Sequence, residues 1–185
     1  MLDLTDKSVL VIGLGGRGRA ASSLLQRAGA KVTAIDSADT DELREVTRQL
    51  ESGGVKVKLG VSSVPSDPFD FAVISHAISV RSSLVKTLAD RQIPVIGEFE
   101  LGWRLAKCLS IAVSGTNGKG TTAELIEQLL LQNDRRTILA GHGARPICSV
   151  ADQTADLDFL VLQVNAFQLE TTEFFRPAVA VLLNT

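Results

Sequence analysis

The chain has little that would suit an oxidising compartment, a membrane or a polyanion. Its 185 residues include two cysteines, Cys108 and Cys148. That is too few for a disulfide framework, which points to a reducing compartment and to two small buried hydrophobes. No apolar run approaches the roughly 20 residues needed to span a bilayer. The opening Met1–Lys7 lacks the basic-then-apolar layout of a signal peptide. A net charge of −2 leaves no basic footprint for nucleic acid or an anionic lipid surface. Repeats and low-complexity tracts are missing as well. What remains is ordinary for a globular protein, 45% hydrophobic and 22% charged. The length suits one large or two small domains. These features predict a soluble cytoplasmic protein with no nucleic-acid and no membrane partner.

Against that plain background one stretch stands out, Ser114-Gly115-Thr116-Asn117-Gly118-Lys119-Gly120-Thr121-Thr122. The apolar run Ile111–Val113 leads into it, and a helical pattern with Leu125, Ile126, Leu129 and Leu130 follows. Strand, glycine-rich turn with one lysine, then helix is the layout of a phosphate-binding loop. Glycines let backbone N–H groups approach phosphate oxygens where a Cβ would intervene. The helix N-terminus adds its dipole, Lys119 a positive charge, and Thr121 and Thr122 hydroxyls for Mg²⁺ or a phosphate. The general pattern G-x-x-x-x-G-K-[ST] asks for glycine where Val113 stands and a hydroxyl where Gly120 stands. The bland alternative is a strand-to-helix turn carrying an exposed lysine. Three glycines, a lysine and two threonines on one turn favour a nucleoside triphosphate, with Gly115 to Thr122 as its contacts.

A second glycine turn lies near the start. Ser8–Ile12 reads as a buried strand, and Gly13-Leu14-Gly15-Gly16-Arg17-Gly18 fits G-x-G-x-x-G. A helix follows with Ala21, Leu24, Leu25 and Ala28 on one face, closed by Gly29. Strand Val32–Ile35 then ends in Asp36. This βαβ unit is built to hold a diphosphate on the helix N-terminus, with Asp36 placed to accept hydrogen bonds from a ribose or base. Further on come a helix opened by Asp39–Glu42, a strand at Val55–Leu59, a turn at Pro65–Pro68 and a strand at Phe71–Ser75. A helix over Ser82–Arg91 and a short strand at Pro94–Gly97 follow. This alternation predicts a Rossmann-like, doubly wound parallel sheet over residues 1–97. Ser75 and His76 sit just past a strand end, where ligands bind in such sheets, although a solvated loop histidine is an even alternative for His76. Residues 98–108 read as a linker helix, with Trp103 packing between units. Residues 109–185 read as an incomplete P-loop-type α/β domain, with strands near 137–141, 158–164 and 178–183. Ending on a strand, the chain is expected to be a piece of a longer enzyme.

Taken together, the motifs resemble the Mur ligase family of ATP-dependent, amide-bond-forming acid–amino-acid ligases in peptidoglycan synthesis. The resemblance covers essentially the whole chain. It rests on Val11-Ile12-Gly13-Leu14-Gly15, Gly97-Glu98-Phe99-Glu100-Leu101, Gly115–Lys119 and Phe167-Gln168-Leu169-Glu170-Thr171-Thr172. It implies a first domain for a UDP-linked substrate, a central ATP domain and a C-terminal domain that this chain lacks. The closest likeness, to members that add D-glutamate to UDP-N-acetylmuramoyl-L-alanine through an acyl phosphate, makes these two the expected substrates, with ATP and Mg²⁺ as cofactors and a monomer as the expected state. On that resemblance Gly13, Leu14, Gly15, Gly16 and Arg17 form the UDP-substrate turn, with Gly16 and Arg17 against the diphosphate. Asp36 and Ser37 would contact the uracil, Ser75, His76 and Ala77 would flank it, and His142 and Gln168 would reach the muramoyl part. Lys119 is the catalytic cation, and Thr121 and Gln163 stand at the metal site.

The chain departs from the family in four places. Gln163 stands for a metal-binding glutamate, Gly120 for a hydroxyl residue, Asn165-Ala166 for two serines and His142 for an asparagine. Gly120-Thr121 is shared with the related folylpolyglutamate synthases, which lack the preceding domain. Two other readings stay open: a non-catalytic nucleotide-binding relative, suggested by Gln163 and Gly120, and an NAD-dependent oxidoreductase, since the first turn and Asp36 suit NAD equally well.

Overall fold

A computed structural model describes residues 3–75 and 77–184. The first sheet contains β1 (Ser8–Ile12), β2 (Lys31–Ile35), β3 (Lys56–Lys58), β4 (Phe71–Ile74) and β5 (Val95–Gly97). Its spatial order is β3-β2-β1-β4-β5 and every pairing is parallel. Parallel strands need crossovers, and these carry helices α1 (Gly16–Arg27), α2 (Asp41–Ser52) and α3 (Ser83–Asp90). Alternating side chains on β1 serve both faces. Val9 and Val11 pack under α1 and α2 with Leu24, Leu25, Val46 and Leu50. Leu10 and Ile12 join Ile35, Ile74 and Leu88 on the α3 side. Both faces are therefore covered, which explains why the central strands read as unbroken apolar runs. Thr40 and Ser82 cap α2 and α3, their hydroxyls accepting from Leu43 N and Val85 N.

The second sheet contains β6 (Leu109–Ser114), β7 (Thr137–Ala140), β8 (Phe159–Gln163) and β9 (Val179–Leu182) in the order β7-β8-β6-β9, again parallel. The phosphate-loop helix α5 (Lys119–Gln132) covers one face through Ala123, Ile126 and Leu130. Of the four apolar residues that mark this helix in the sequence, Ile126 and Leu130 pack on the sheet. Leu125 and Leu129 are 55% and 51% exposed. They lie on the side of α5 turned from the sheet; the i, i+3, i+7 row beginning at Ala123 packs on it, and Glu127 Oε1 accepts from Leu139 N of β7 at 2.7 Å.

Between the sheets runs α4 (Glu98–Leu105), shorter than the linker helix expected over 98–108. Its faces go opposite ways: Leu101 and Leu105 pack with the first sheet, Phe99 and Trp103 with the second. Phe175 stacks edge-on against Phe99 and Trp103 at 4.9 and 5.4 Å, and the Trp103 indole N–H donates to Ser110 Oγ at 3.1 Å. Gly102 admits a short 3-10 turn at Ile147–Ser149, since a Cβ there would stand 2.6 Å from Ile147 Cγ2. Trp103 is thus a packing residue, as its setting in the sequence suggests. Among the described residues no helix is long and apolar enough to cross a membrane.

Candidate functional site

Two glycine turns, each at the carboxyl end of a central parallel strand, build the site. In the first, Gly13 takes φ +88°, a left-handed backbone that a side chain would strain. Gly18 is buried against that turn, and a Cβ there would overlap the Gly13 carbonyl oxygen. Nothing lies within 4 Å of a Cβ added to Gly15 or Gly16, so the turn keeps an open face at the start of α1. Beside it a pocket of about 300 Å³ is lined by Gly13, Gly15, Asp36, Ser37, Ser75 and Ala77, among others. Six of the residues named for the UDP substrate meet there. A second hollow of about 510 Å³ shares Ala77 and Ile78 with it and runs past Arg81 to Phe167, Glu170 and Thr171. A further hollow of about 450 Å³ lies at the opposite end of the sheet, against Ser8, Lys31 and Lys56. Ligands of such sheets bind outside the carboxyl ends of the strands, which favours the first two.

Several named residues are placed otherwise than a direct ligand contact would require. Leu14 is fully buried, and its backbone N–H donates to Asp36 Oδ2 at 2.7 Å. Asp36 Oδ1 accepts from Ala38 N at 2.9 Å, so this carboxylate first braces the turn. Arg17 points between the units: Nη1 meets Glu98 Oε2 at 3.1 Å and Nη2 meets the Gly141 carbonyl at 3.3 Å. Gln168 is 2% exposed, its amide nitrogen donating to Gly141 O and its amide oxygen accepting from Asn165 N. It caps α6 (Ala166–Leu169) reciprocally with Asn165 and leaves the neighbouring Phe167 63% exposed at the second hollow. His142 is half-buried, just after β7. His76 lies outside the described residues.

Glu98, to which the sequence reading gave no role, is the buried centre of the joint. Its Oε2 pairs with Arg17 and its Oε1 accepts from Cys148 N at 2.9 Å. Burial pushes its carboxyl above the usual range, against the opposing pull of the Cys148 N–H and the Arg17 guanidinium. The Cys148 thiol is raised well above its ordinary value, first by burial and then by Glu98.

The second turn is the phosphate loop. Gly118 adopts φ +79° as the N-cap of α5, and Gly115 has φ +140°. A Cβ on Gly115 would come within 3.1 Å of Asn184 O. The Asn184 side chain clamps the loop, Oδ1 accepting from Thr116 N at 2.9 Å and Asn117 N at 3.0 Å. That leaves the N–H groups at the start of α5, which have no intrahelical acceptor, as the donors for an anion. The Lys119 ammonium lies across the loop, 2.6 Å from Gly115 O and 2.9 Å from Thr116 O. Thr121 is exposed and Thr122 half-buried. No local signal marked Asn184 as the clamp, because it is 68 residues from Thr116.

The two positions named for Mg²⁺ do not make the usual donor set. Thr121 and Gln163 are both neutral, whereas Mg²⁺ in nucleotide sites is normally held by one or two carboxylates beside the phosphates. Among the described residues no group of three or more His, Cys, Asp or Glu is placed to hold a metal. The protein side of this site is a set of hydrogen-bond donors and one cation.

Comparison with known proteins gives a consistent result. No model of a known protein family matches the chain. It is 37% identical over 180 residues to the UDP-N-acetylmuramoylalanine–D-glutamate ligase of Geobacillus kaustophilus, covering 96% of this chain and 40% of the relative. The ligases of the same name from Koribacter versatilis and Thermoanaerobacter sp. are 36% and 32% identical over 184 residues, covering 99% of this chain and 41% and 40% of theirs. The chain thus spans about two-fifths of the length of these curated relatives. In fold it resembles the UDP-N-acetylmuramate:L-alanyl-gamma-D-glutamyl-meso-diaminopimelate ligase of Neisseria meningitides, with TM-score 0.61, 24% identity and coverage of 97% of this chain and 61% of that one. A murein peptide ligase from Psychrobacter arcticus gives TM-score 0.55 at 17% identity, covering 95% of this chain and 42% of that one. Over nearly its whole length, in sequence and in fold, this chain is a relative of the Mur ligases.

Proposed function

We propose that this chain is the nucleotide-binding portion of an ATP-dependent ligase of peptidoglycan synthesis, one that joins D-glutamate to UDP-N-acetylmuramoyl-L-alanine. The supporting observation is that Gly141 touches both halves of the site. Gly141 O accepts from Arg17 beside the first turn, and Gly141 abuts the backbone of Gln163, whose side chain reaches the first turn of α5. A ligand seated in the Asp36–Ser75 pocket and extending along the hollow past Ala77 reaches Phe167, Glu170 and Thr171, in the segment that follows β8 of the second sheet. In the reaction proposed, the substrate carboxylate attacks the γ-phosphorus of ATP, ADP leaves, and the amine of D-glutamate displaces phosphate from the acyl carbon. Backbone N–H groups at the head of α5 and the Lys119 ammonium hold the phosphates and face the charge that develops on their oxygens.

The reading is tested by thermal melting of the chain with UDP-N-acetylmuramoyl-L-alanine, ATP and NADH in turn, since a ligand that binds only the folded state raises Tm. Stabilisation by the UDP-sugar and by ATP is expected. Stabilisation by NADH alone would replace the ligase with an oxidoreductase.

A further inference from the structure

We infer that Gln163 is itself a phosphate-binding residue, and that nucleotide binding at this loop therefore proceeds without a divalent cation. The inference rests on reading residues 115–122 as a nucleotide loop and adds a ligand contact to it.

Position comes first. Gln163 ends β8 in register with Val113, the residue before Ser114 and the loop. Its Oε1 lies 3.6 Å from the place a Cβ on Gly120 would occupy, over the first turn of α5. The backbone that carries it is held on two sides. Val164 N donates to Val113 O at 2.9 Å, and Gly141 packs so closely that a Cβ there would stand 2.5 Å from Gln163 O. Gln168, five residues on, has its amide engaged at both ends, whereas the half-buried Gln163 amide has no hydrogen-bond partner among the described residues.

Chemistry then decides what such a group does. A carboxylate at this point would face phosphate oxygens with like charge and would need a divalent cation between them. A primary amide carries two N–H donors, and a half-turn about its last torsion presents Nε2 in place of Oε1. As a ligand for a hard cation the amide is weak, but as a donor to a phosphate oxygen it is well suited. The other groups around the loop agree with it: the ammonium of Lys119, the hydroxyls of Thr121 and Thr122, and the N–H groups opening α5 all offer protons. Lys119 supplies the positive charge, and Gln163 takes the place of the metal bridge with a direct hydrogen bond.

The test is ATP binding by calorimetry, in excess EDTA and in excess Mg²⁺, for the wild-type chain, Gln163→Glu and Lys119→Ala. Wild type is expected to bind in EDTA within about threefold of its affinity in Mg²⁺. Gln163→Glu should bind at least about tenfold more weakly in EDTA and recover with Mg²⁺, a change of one decade in Kd. Lys119→Ala should lose binding in both media, which locates the ligand at the loop. A wild type that itself needs Mg²⁺ by tenfold or more overturns the inference alone, as does a Gln163→Glu chain equal to wild type in EDTA. Absence of ATP binding by the wild type in either medium overturns the nucleotide reading of the loop, and this inference with it. Because the amide makes no hydrogen bond within the described protein, the glutamate variant should melt with the wild type, and that melt is the control for folding.

Discussion

The glycines of the first turn have three separate physical jobs, and substituting them one at a time separates packing from ligand access. Gly18→Ala places a methyl against the Gly13 carbonyl, overlapping its oxygen and standing 2.8 Å from its carbon. Both are backbone atoms of a turn already held by the bond from Gly13 N to Ile35 O at 2.8 Å. The helix, not a flexible side chain, has to move. Overpacking costs roughly 1–3 kcal/mol, and a clash with fixed backbone belongs at the upper end. Replacing a helical glycine returns at most about 1 kcal/mol. The net loss is therefore about 2 kcal/mol, or ~4–8 °C in Tm for a chain of this size. Gly16→Ala is the matched control. It makes the same chemical change at the first residue of α1, with nothing within 4 Å of the new methyl, so its stability should stay within about 0.5 kcal/mol of wild type. Its effect should appear instead as weaker binding of the proposed UDP-sugar ligand, because the methyl stands on the open face of the turn. Urea unfolding followed by circular dichroism measures both variants. Equal stability of Gly18→Ala and Gly16→Ala would refute the packing argument.

Three further outcomes follow from the same geometry. Removing the side-chain clamp with Asn184→Ala frees Asn117 N and leaves Thr116 N only its 3.3 Å bond to the Asn184 carbonyl, so hydrogen exchange should accelerate at Asn117 while that of β6 stays unchanged; unaltered exchange at Asn117 would dismiss the clamp. Glu98 holds its proton more tightly folded than unfolded, so stability should fall as pH rises from about 4.5, its ordinary value, through the raised folded value. Gln at position 98 should remove that slope from a plot of urea midpoint against pH, whereas Asp39 and Asp70, whose carboxyls are lowered, act only below about 3.8. An identical slope in the variant would show that Glu98 does not titrate in this range. Finally, Leu160→Ala, at a fully buried position in the second sheet, should cost about 2–5 kcal/mol. The exposed Leu125→Ala should cost less than about 0.5 kcal/mol, and a reversed order would contradict the placement of α5.

The features legible in the chain are those whose causes are local. Runs such as Ser8–Ile12 and Phe71–Ile74 are apolar throughout because both faces of a parallel strand are buried, and they stand out as strands for that reason. The turns at Gly13 and Gly118 are visible because a left-handed backbone or a close approach selects glycine within a few residues of sequence. The resemblance carried by the turns and by Phe167–Thr172 is likewise a matter of neighbouring residues. Tertiary structure decided everything that depends on which distant groups share a low-dielectric space. Arg17, expected at a diphosphate, is drawn to Glu98, 81 residues away, because a buried carboxylate has to find a partner. Gln168 turns inward because its amide oxygen satisfies the Asn165 N–H, while its amide nitrogen shares the Gly141 carbonyl with Arg17. Leu125 and Leu129 belong to an apolar pattern whose period marks the helix, but which side of that helix meets the sheet is set by how α5 lies across β6 and β8. Periodicity reports the shape of an element from its own residues. The partners of its side chains are fixed only when the sheets close, since burial and hydrogen bonding are properties of the assembled surroundings and not of the neighbouring sequence.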